Sequence, residues 1–382
     1  TLTHTSSGSS LPRCPPSSDN ENGGAGAAPG ADGRTHRRDP SPPPAGRSRL
    51  PSPRHPCLQA VAPPPLRPRF PPPLPRVHRA PPLLGFFHNT PNSVPRFVPT
   101  ARPFSLPDLV WNKCEIVDCR HGRVLLHCYR AANLMVWDPV SRELQCLRLP
   151  DDRYMELSAA VLCALESCDH LDCHGGPFLV VYAVTKPLNE EILARLYSSE
   201  TGEWSEVASV QVTSGSRLMT RASLLTRDAL YFTLHEPNHI LKYDLGARSL
   251  SVMDPPVQHM VNIVPIMAED GGLGVAGVEG DSLHIWSWRA FSDGIASWNE
   301  DRAIKLQMVL PVSVSSVLKG KNVVLCFVEN ADMILISTSD GVFTFEMKSS
   351  RIRKVFNFGC FDTVFPFVSF FLPGTQKYTA RR

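Results

Sequence analysis

The chain has 382 residues, a formal net charge of +3 and 42% hydrophobic residues. Its longest apolar runs, around Phe178 to Val184 and Phe365 to Leu372, fall far short of the roughly 20 residues that span a bilayer, so a soluble body is expected. Eleven cysteines are too few for a disulfide-dense scaffold. Several sit in strand-like runs, such as Cys326 in NVVLCFVEN, which predicts an intracellular protein, cytoplasmic or nuclear, with buried free thiols.

Residues 1–82 carry 21 of the 37 prolines and few large aliphatic or aromatic side chains. Such a segment cannot bury enough apolar surface to offset its chain entropy, so disorder is expected there. It holds 11 arginines against 4 acidic residues, a tail of about +7 ahead of a body of about −4. Those arginines are scattered among Pro, Ser and Gly without the aromatic interleaving that base stacking uses, which argues against nucleic-acid binding. The opening TLTHTSSGSS has no signal-peptide core and no initiating Met, and reads as a fragment or an incomplete gene product.

Order begins at PPLLGFF, with Pro81-Pro82 ending the linker and Leu83 to Phe87 as the first strand. From Arg120 onward one device recurs: an apolar strand ending in an aromatic, a polar turn, then another strand. It appears around Trp137 (LMVWDPVSRELQCLRLP), Tyr197 (ARLYSSETGEWSEV), Tyr243 (ILKYDLGARSLSVMDPP), Trp286 (LHIWSWRAFSDGIASWNE) and Phe345 (VFTFEMKSSRIRKVFNF). The spacing of these aromatics, about 43 to 60 residues, brackets the period of four-stranded propeller blades. A hairpin precedes each one, and two hairpins per period make a blade. Thr201-Gly202, Leu245-Gly246, Asn330-Ala331-Asp332 and Asp340-Gly341 supply the tight reversals. In ILKYDL the alternation predicts a half-buried strand, with Leu241, Tyr243 and Leu245 on one side and Ile240, Lys242 and Asp244 on the other. NEEILARLYS is compatible with either one helical turn or a loop entering a strand.

The expected fold is all-β, a kelch-like β-propeller of about six four-stranded blades over residues 83–373, with a flexible tail at 374–382. A ring must close to avoid exposed strand edges. The last apolar run, FPFVSFFLPG, is expected to complete the blade begun by PPLLGFF and FVPTARPF.

Few motifs suggest chemistry. CALESCDHLDCHGG gathers Cys163, Cys168, His170, Cys173 and His174, ligand types that zinc accepts. The spacing lacks a C-x2-C knuckle, and the segment falls between two strands of one blade, so a polar surface loop is preferred to a structural metal. GGLGVAGVEG, Gly271 to Gly280, lacks both the Gly-Lys-Ser/Thr ending of a phosphate loop and a following helix, and is read as glycines at a hairpin turn. His235-Glu236-Pro237-Asn238-His239 resembles the H-E-x-x-H zinc motif, but its proline forbids the continuous helix that motif needs. The histidines at 121, 127, 235, 239, 259 and 284 show no partner at a spacing that suggests a shared site. Trp286, Trp288 and Trp298 are expected to pack within or between blades. We therefore expect no enzyme and assign no catalytic, cofactor-binding or metal residue, and no cofactor; residues that contact a partner are left unassigned.

HRAPPLLGFF, then CRHGRVLLHC leading into LMVWDPVSREL, then ILKYDLGARSLSVMDPP and the closing FPFVSFFLP together resemble the β-propeller region of the large plant F-box protein family, over about residues 79–373. The resemblance implies a non-catalytic substrate receptor of a cullin-based ubiquitin ligase. In that family an N-terminal helical F-box docks on the ligase adaptor and the propeller recruits a protein substrate. Residues 1–78 depart from the pattern, since prolines at their density break every helix. The opening is read as a frameshifted F-box region, and adaptor binding is expected only where an F-box is present in the gene product. The alternative is a free-standing propeller scaffold, or a non-functional remnant, not coupled to ubiquitination.

Overall fold

The computed structural model describes residues 82–369 apart from short internal stretches, of which 311–321 is the longest. These lie in the compact unit Pro65–Arg382. The tails expected at 1–82 (all but Pro82) and 374–382 lie outside the described residues.

Six antiparallel sheets form among the described residues. Blade 1 begins with β1 (Leu83–His88) and β2 (Arg96–Pro99). Blade 2 is β3 (Cys114–Arg120), β4 (Arg123–Cys128), β5 (Asn133–Trp137) and β6 (Leu144–Arg148). Blade 3 is β7 (Leu157–Cys163), β8 (Phe178–Thr185) and β9 (Glu191–Ser198), whose outer edge is shared by β10 (Glu203–Trp204) and β11 (Ala208–Gln211). In blade 4 the inner position is split between β12 (Arg217–Leu218) and β13 (Leu224–Leu225), both paired with β14 (Ala229–His235), and β15 (Ile240–Asp244) and β16 (Ser249–Met253) follow. Blade 5 is β17 (Val264–Met267), β18 (Leu273–Glu279), β19 (Ser282–Ala290) and β20 (Ala296–Lys305). Blade 6 is β21 (Val323–Val328), β22 (Met333–Thr338), β23 (Gly341–Glu346) and β24 (Ile352–Phe356).

The last strand, β25 (Val364–Val368), returns to blade 1 and pairs with β1, Phe87 opposite Phe365 and His88 opposite Val364. Strands from both ends of the described chain thus share one blade, in the order β2-β1-β25. The inner strands complete a ring: β25 packs on β3 and β21, β3 on β7, β17 on β13 and β21, and β12 joins blade 4 to β8. All five repeat aromatics lie on the third strand of their blades, and all are buried. In NEEILARLYS the residues from Glu191 to Ser198 form strand β9.

Blades in a ring are covered on both faces, which corrects the half-buried reading of ILKYDL. Leu241 and Tyr243 face the core shared with blade 3, while Ile240, also fully buried, faces the one shared with blade 5. The same division recurs in β8, where Val180, Tyr182 and Val184 pack toward blade 2 and Val181 and Ala183 toward blade 4. In these strands alternation sorts apolar side chains between two cores, whereas outer strands such as β11 and β20 alternate toward water.

Four turns after a third strand, among the described residues, share one geometry. The fifth residue adopts positive φ in DPVSR (Arg142, 65°), SSETG (Gly202, 75°), DLGAR (Arg248, 51°) and EMKSS (Ser350, 55°). In three of them its N–H donates to the carbonyl of the first residue, at 2.8 to 2.9 Å. Asp138 Oδ1 accepts from Val140 and Ser141, and Asp244 Oδ1 from Ala247, the short-range capping for which Asp favours turns. The left-handed position in LGAR is therefore Arg248 and not Gly246. In GGLGVAGVEG, Gly271 (82°) and Gly280 (61°) mark the turns, but the residues between them form β18. A Cβ at Gly274 would approach the Trp286 carbonyl oxygen to 2.8 Å, so this glycine is there for close strand approach.

The expectation of free thiols fails at one pair. Cys114 and Cys128 face each other across β3 and β4 and form a disulfide. Their Cα atoms are 4.1 Å apart, the separation of directly opposed residues in a non-hydrogen-bonded pair. Cys326 is free and fully buried. No described helix is long and apolar enough to cross a membrane.

Candidate functional site

Strand order fixes what each rim of the ring carries. In a blade whose strands run outward in chain order, the first-to-second and third-to-fourth connections leave on one face. On this face lie the Arg120–Arg123 turn, the described residues of the connection between β7 and β8, and the turns around Asp138, Ser199, Gly271, Glu329 and Met347.

The 164–177 loop brings together four of the five ligand-type residues noted in the sequence. One ligand atom from each of Cys163, Cys168, His170 and Cys173 lies within 4.8 Å of every other. Cys168 Sγ and Cys173 Sγ are 3.4 Å apart, Cys173 Sγ lies 3.6 Å from His170 Nδ1, and the His170 N–H donates to Cys168 Sγ at 3.4 Å. Cys163 closes β7, Cys173 is buried, and the other three are half-buried. His174 lies outside the described residues. Burial pushes the Cys173 and Cys163 thiols up from their ordinary range. The loop is pinned at its base by Ala164 N–H donating to the Pro177 carbonyl, and to β4 by Arg123 Nη2 donating to the Gly176 carbonyl at 2.6 Å.

The sequence showed no partner for His121, but the fold supplies one. The β3–β4 turn sets its ring 4.6 Å from that of His170. Burial, reinforced by Arg120, His170 and Arg123, holds His121 neutral, far below the usual imidazole range, and neither of its ring nitrogens has a hydrogen-bond partner. The other described histidines lie apart from this cluster. His127 pairs with Tyr154 at 2.7 Å and burial lowers it to about 4; His284 pairs with Glu300, and His239 with Asp254. His235 and His239 end and precede neighbouring strands around a turn in which Leu234 N–H donates to the His239 carbonyl. His259 lies outside the described residues.

A second constellation, at the channel mouth on the same face, was missed in the sequence. Arg120 contacts Asp118 at 3.2 Å and clasps both carboxylate oxygens of Glu329, at 2.9 and 3.1 Å. It also donates to the Ser223 carbonyl at 2.7 Å. Asp118 accepts from the Val161 N–H of β7, and Glu329 from the Leu225 N–H of β13. The guanidinium joins blades 2, 4 and 6, and Asp118 extends the network to blade 3. Burial pushes Asp118 up to about 6 against the pull of Arg120 and the Val161 N–H. The remaining cavity there is about 30 Å³, room for roughly one water, and both carboxylates are spent on structural contacts. The available signal was three charged residues, Glu115, Asp118 and Arg120, in the seven-residue strand CEIVDCR.

Two recesses open on this face. One of about 700 Å³ lies between blades 5 and 6, lined by Trp286, Met347, Glu269, Arg302, Asp332 and Lys348 among others. The other, about 290 Å³, lies between blades 2 and 3 beside the base of the cysteine loop. Three of the described tryptophans, Trp204, Trp288 and Trp298, pack within or between blades. Trp288 and Trp298 meet edge to face at 5.2 Å, and Trp298 donates to the Asp254 carbonyl of blade 4. Trp204 makes the matching bond to the Arg148 carbonyl of blade 2.

A family model described as "F-box protein AT5G49610-like, beta-propeller" matches residues 115–374. The chain belongs to this family. The match begins at β3, so β1 and β2 of this F-box-associated propeller precede it, although β1 completes the blade of β25. A search of the curated proteins found none similar to the chain. Among solved structures it is similar to the WD40 domain of SCAP from fission yeast, at 12% identity over 69% of this chain and 58% of that one, with a TM-score of 0.37. It is also similar to a luciferin-regenerating enzyme (10% identity, 62% and 74% coverage, TM-score 0.36) and to U3-55K (9%, 65% and 64%, 0.34). Likeness at these scores does not bear on function. The family and the propeller fold make this chain a protein-interaction module.

Proposed function

We propose that this propeller is the substrate-recruiting part of a cullin-based ubiquitin ligase, bound to the ligase adaptor through an F-box in the same gene product. The observation that carries the reading is the family match over residues 115–374. The propeller holds a protein substrate by its rim and performs no chemistry itself. It acts inside the cell, in the cytoplasm or nucleus.

The proline density of residues 1–78, where no F-box is recognisable, favours a second reading, a free-standing propeller scaffold. Tagging the native gene at its 3′ end and immunoprecipitating the product separates the two. The ligase reading expects the adaptor subunit in the precipitate, together with a leucine-rich helical module encoded upstream of HRAPPLLGFF in one transcript frame. A product that lacks that module and precipitates without adaptor supports the scaffold.

A further inference from the structure

We propose that Cys163, Cys168, His170 and Cys173 form a structural zinc site that fixes the 164–177 loop to the rim between blades 2 and 3. The donor set, three sulfurs and one imidazole, is among those that hold structural zinc. A tetrahedral ion with Zn–S bonds of ~2.3 Å has ligand-to-ligand edges of ~3.8 Å, and the observed 3.4 and 3.6 Å separations approach this. The C-x4-C-x-H-x2-C spacing is no obstacle, because Cys163 is delivered from the end of a strand and the chain then folds back to bring the other three to it. The His170 N–H directed at Cys168 Sγ is the outer bond that a metal-bound thiolate accepts.

Two observations outside the four ligands point the same way. His121 is 8% exposed, packs against the ring of His170, and has two nitrogens without partners. Polar atoms buried in this way ordinarily answer to a group not otherwise accounted for, and outer-shell contacts to a ligating imidazole are a common feature of zinc sites. Arg123, whose Nη2 holds the end of the loop, has a buried Nη1 that is also without a partner. Three thiolates around one divalent zinc leave a net charge of −1, and Arg123 supplies a nearby positive charge.

The full chain, purified under reducing conditions without chelator, should carry about one zinc per molecule by elemental mass spectrometry. After metal removal, Co²⁺ used as a probe should give sulfur-to-metal charge transfer and the intense ligand-field bands of a tetrahedral site. Cys168→Ser and His170→Gln, at half-buried positions, should each lower zinc retention about tenfold or more, and His121→Ala should lower affinity about tenfold through the outer shell. Cys146→Ser, on β6 and outside the cluster, should retain full zinc. Less than about one zinc per ten chains in the wild type, undiminished zinc in Cys168→Ser, or a Cys168–Cys173 disulfide in freshly purified protein would each overturn the assignment.

Discussion

Arg120→Ala should destabilise the folded chain by about 3–5 kcal/mol, the usual consequence of removing one partner from a buried ion pair. The variant leaves Asp118 and Glu329 facing each other's charge across the channel mouth, with the Ser223 carbonyl losing its donor. The loss should also depend on pH. Folded Asp118 titrates at about 6 against an ordinary 3.8, so its contribution is fully present below 3.8 and is lost as pH rises through 6. Without the guanidinium its folded value climbs further. The deficit of Arg120→Ala should therefore be larger near about pH 8 than near about pH 5, because only at the higher pH must the unpaired carboxylate ionise. Urea midpoints at the two pH values measure this. A deficit under about 1 kcal/mol, or an equal deficit at both, would show that the cluster is not the inter-blade lock that its geometry implies.

Phe86→Ala and Phe87→Ala should each cost about 3–5 kcal/mol, and the double variant should fail to hold its ring, since total stabilities are only about 5–15 kcal/mol. Both side chains are fully buried, on opposite faces of β1. Phe86 meets Phe361 and Phe356 on the blade 6 side, at 5.5 and 6.2 Å. Phe87 meets Phe97 at 5.0 Å and Phe367 at 5.9 Å in the core shared with blade 2. Truncating both cuts the closing blade from both neighbours. Near-native far-ultraviolet dichroism and urea midpoint in the double variant would contradict this.

The repeat and its closure were legible because they rest on local chemistry. Apolar strands, an aromatic on each third strand and Asp- or Gly-bearing turns all advertise themselves within a few residues, and PPLLGFF and FPFVSFF could be matched as the two unpaired remainders. What was misread depended on neighbours. ILKYDL alternates like a half-buried strand, yet Ile240 is as buried as Leu241 because blade 5 covers its other face. Gly246 looked like the left-handed turn residue, while the hydrogen-bonded frame of the turn places Arg248 there. The cysteine cluster was visible as composition, but that a strand end and a returning chain bring four of its ligand-type residues within 4.8 Å of one another follows from the fold and not from their spacing. His121 and Glu329 were out of reach. One lies 49 residues from His170 and the other 209 from Arg120, and only the packing of blades brings them together.

The central claim is that the propeller closes by inserting β1 between β2 and β25, making the two ends of the described chain one structural unit with the interaction module between them. Amide hydrogen exchange of the full chain, followed peptide by peptide, tests it most directly. The account predicts that Phe86 and Phe87 exchange as slowly as the centre of β8 and lose protection together with β25 as urea is raised. Rapid exchange across Leu83–His88 while β3 to β24 stay protected would contradict it.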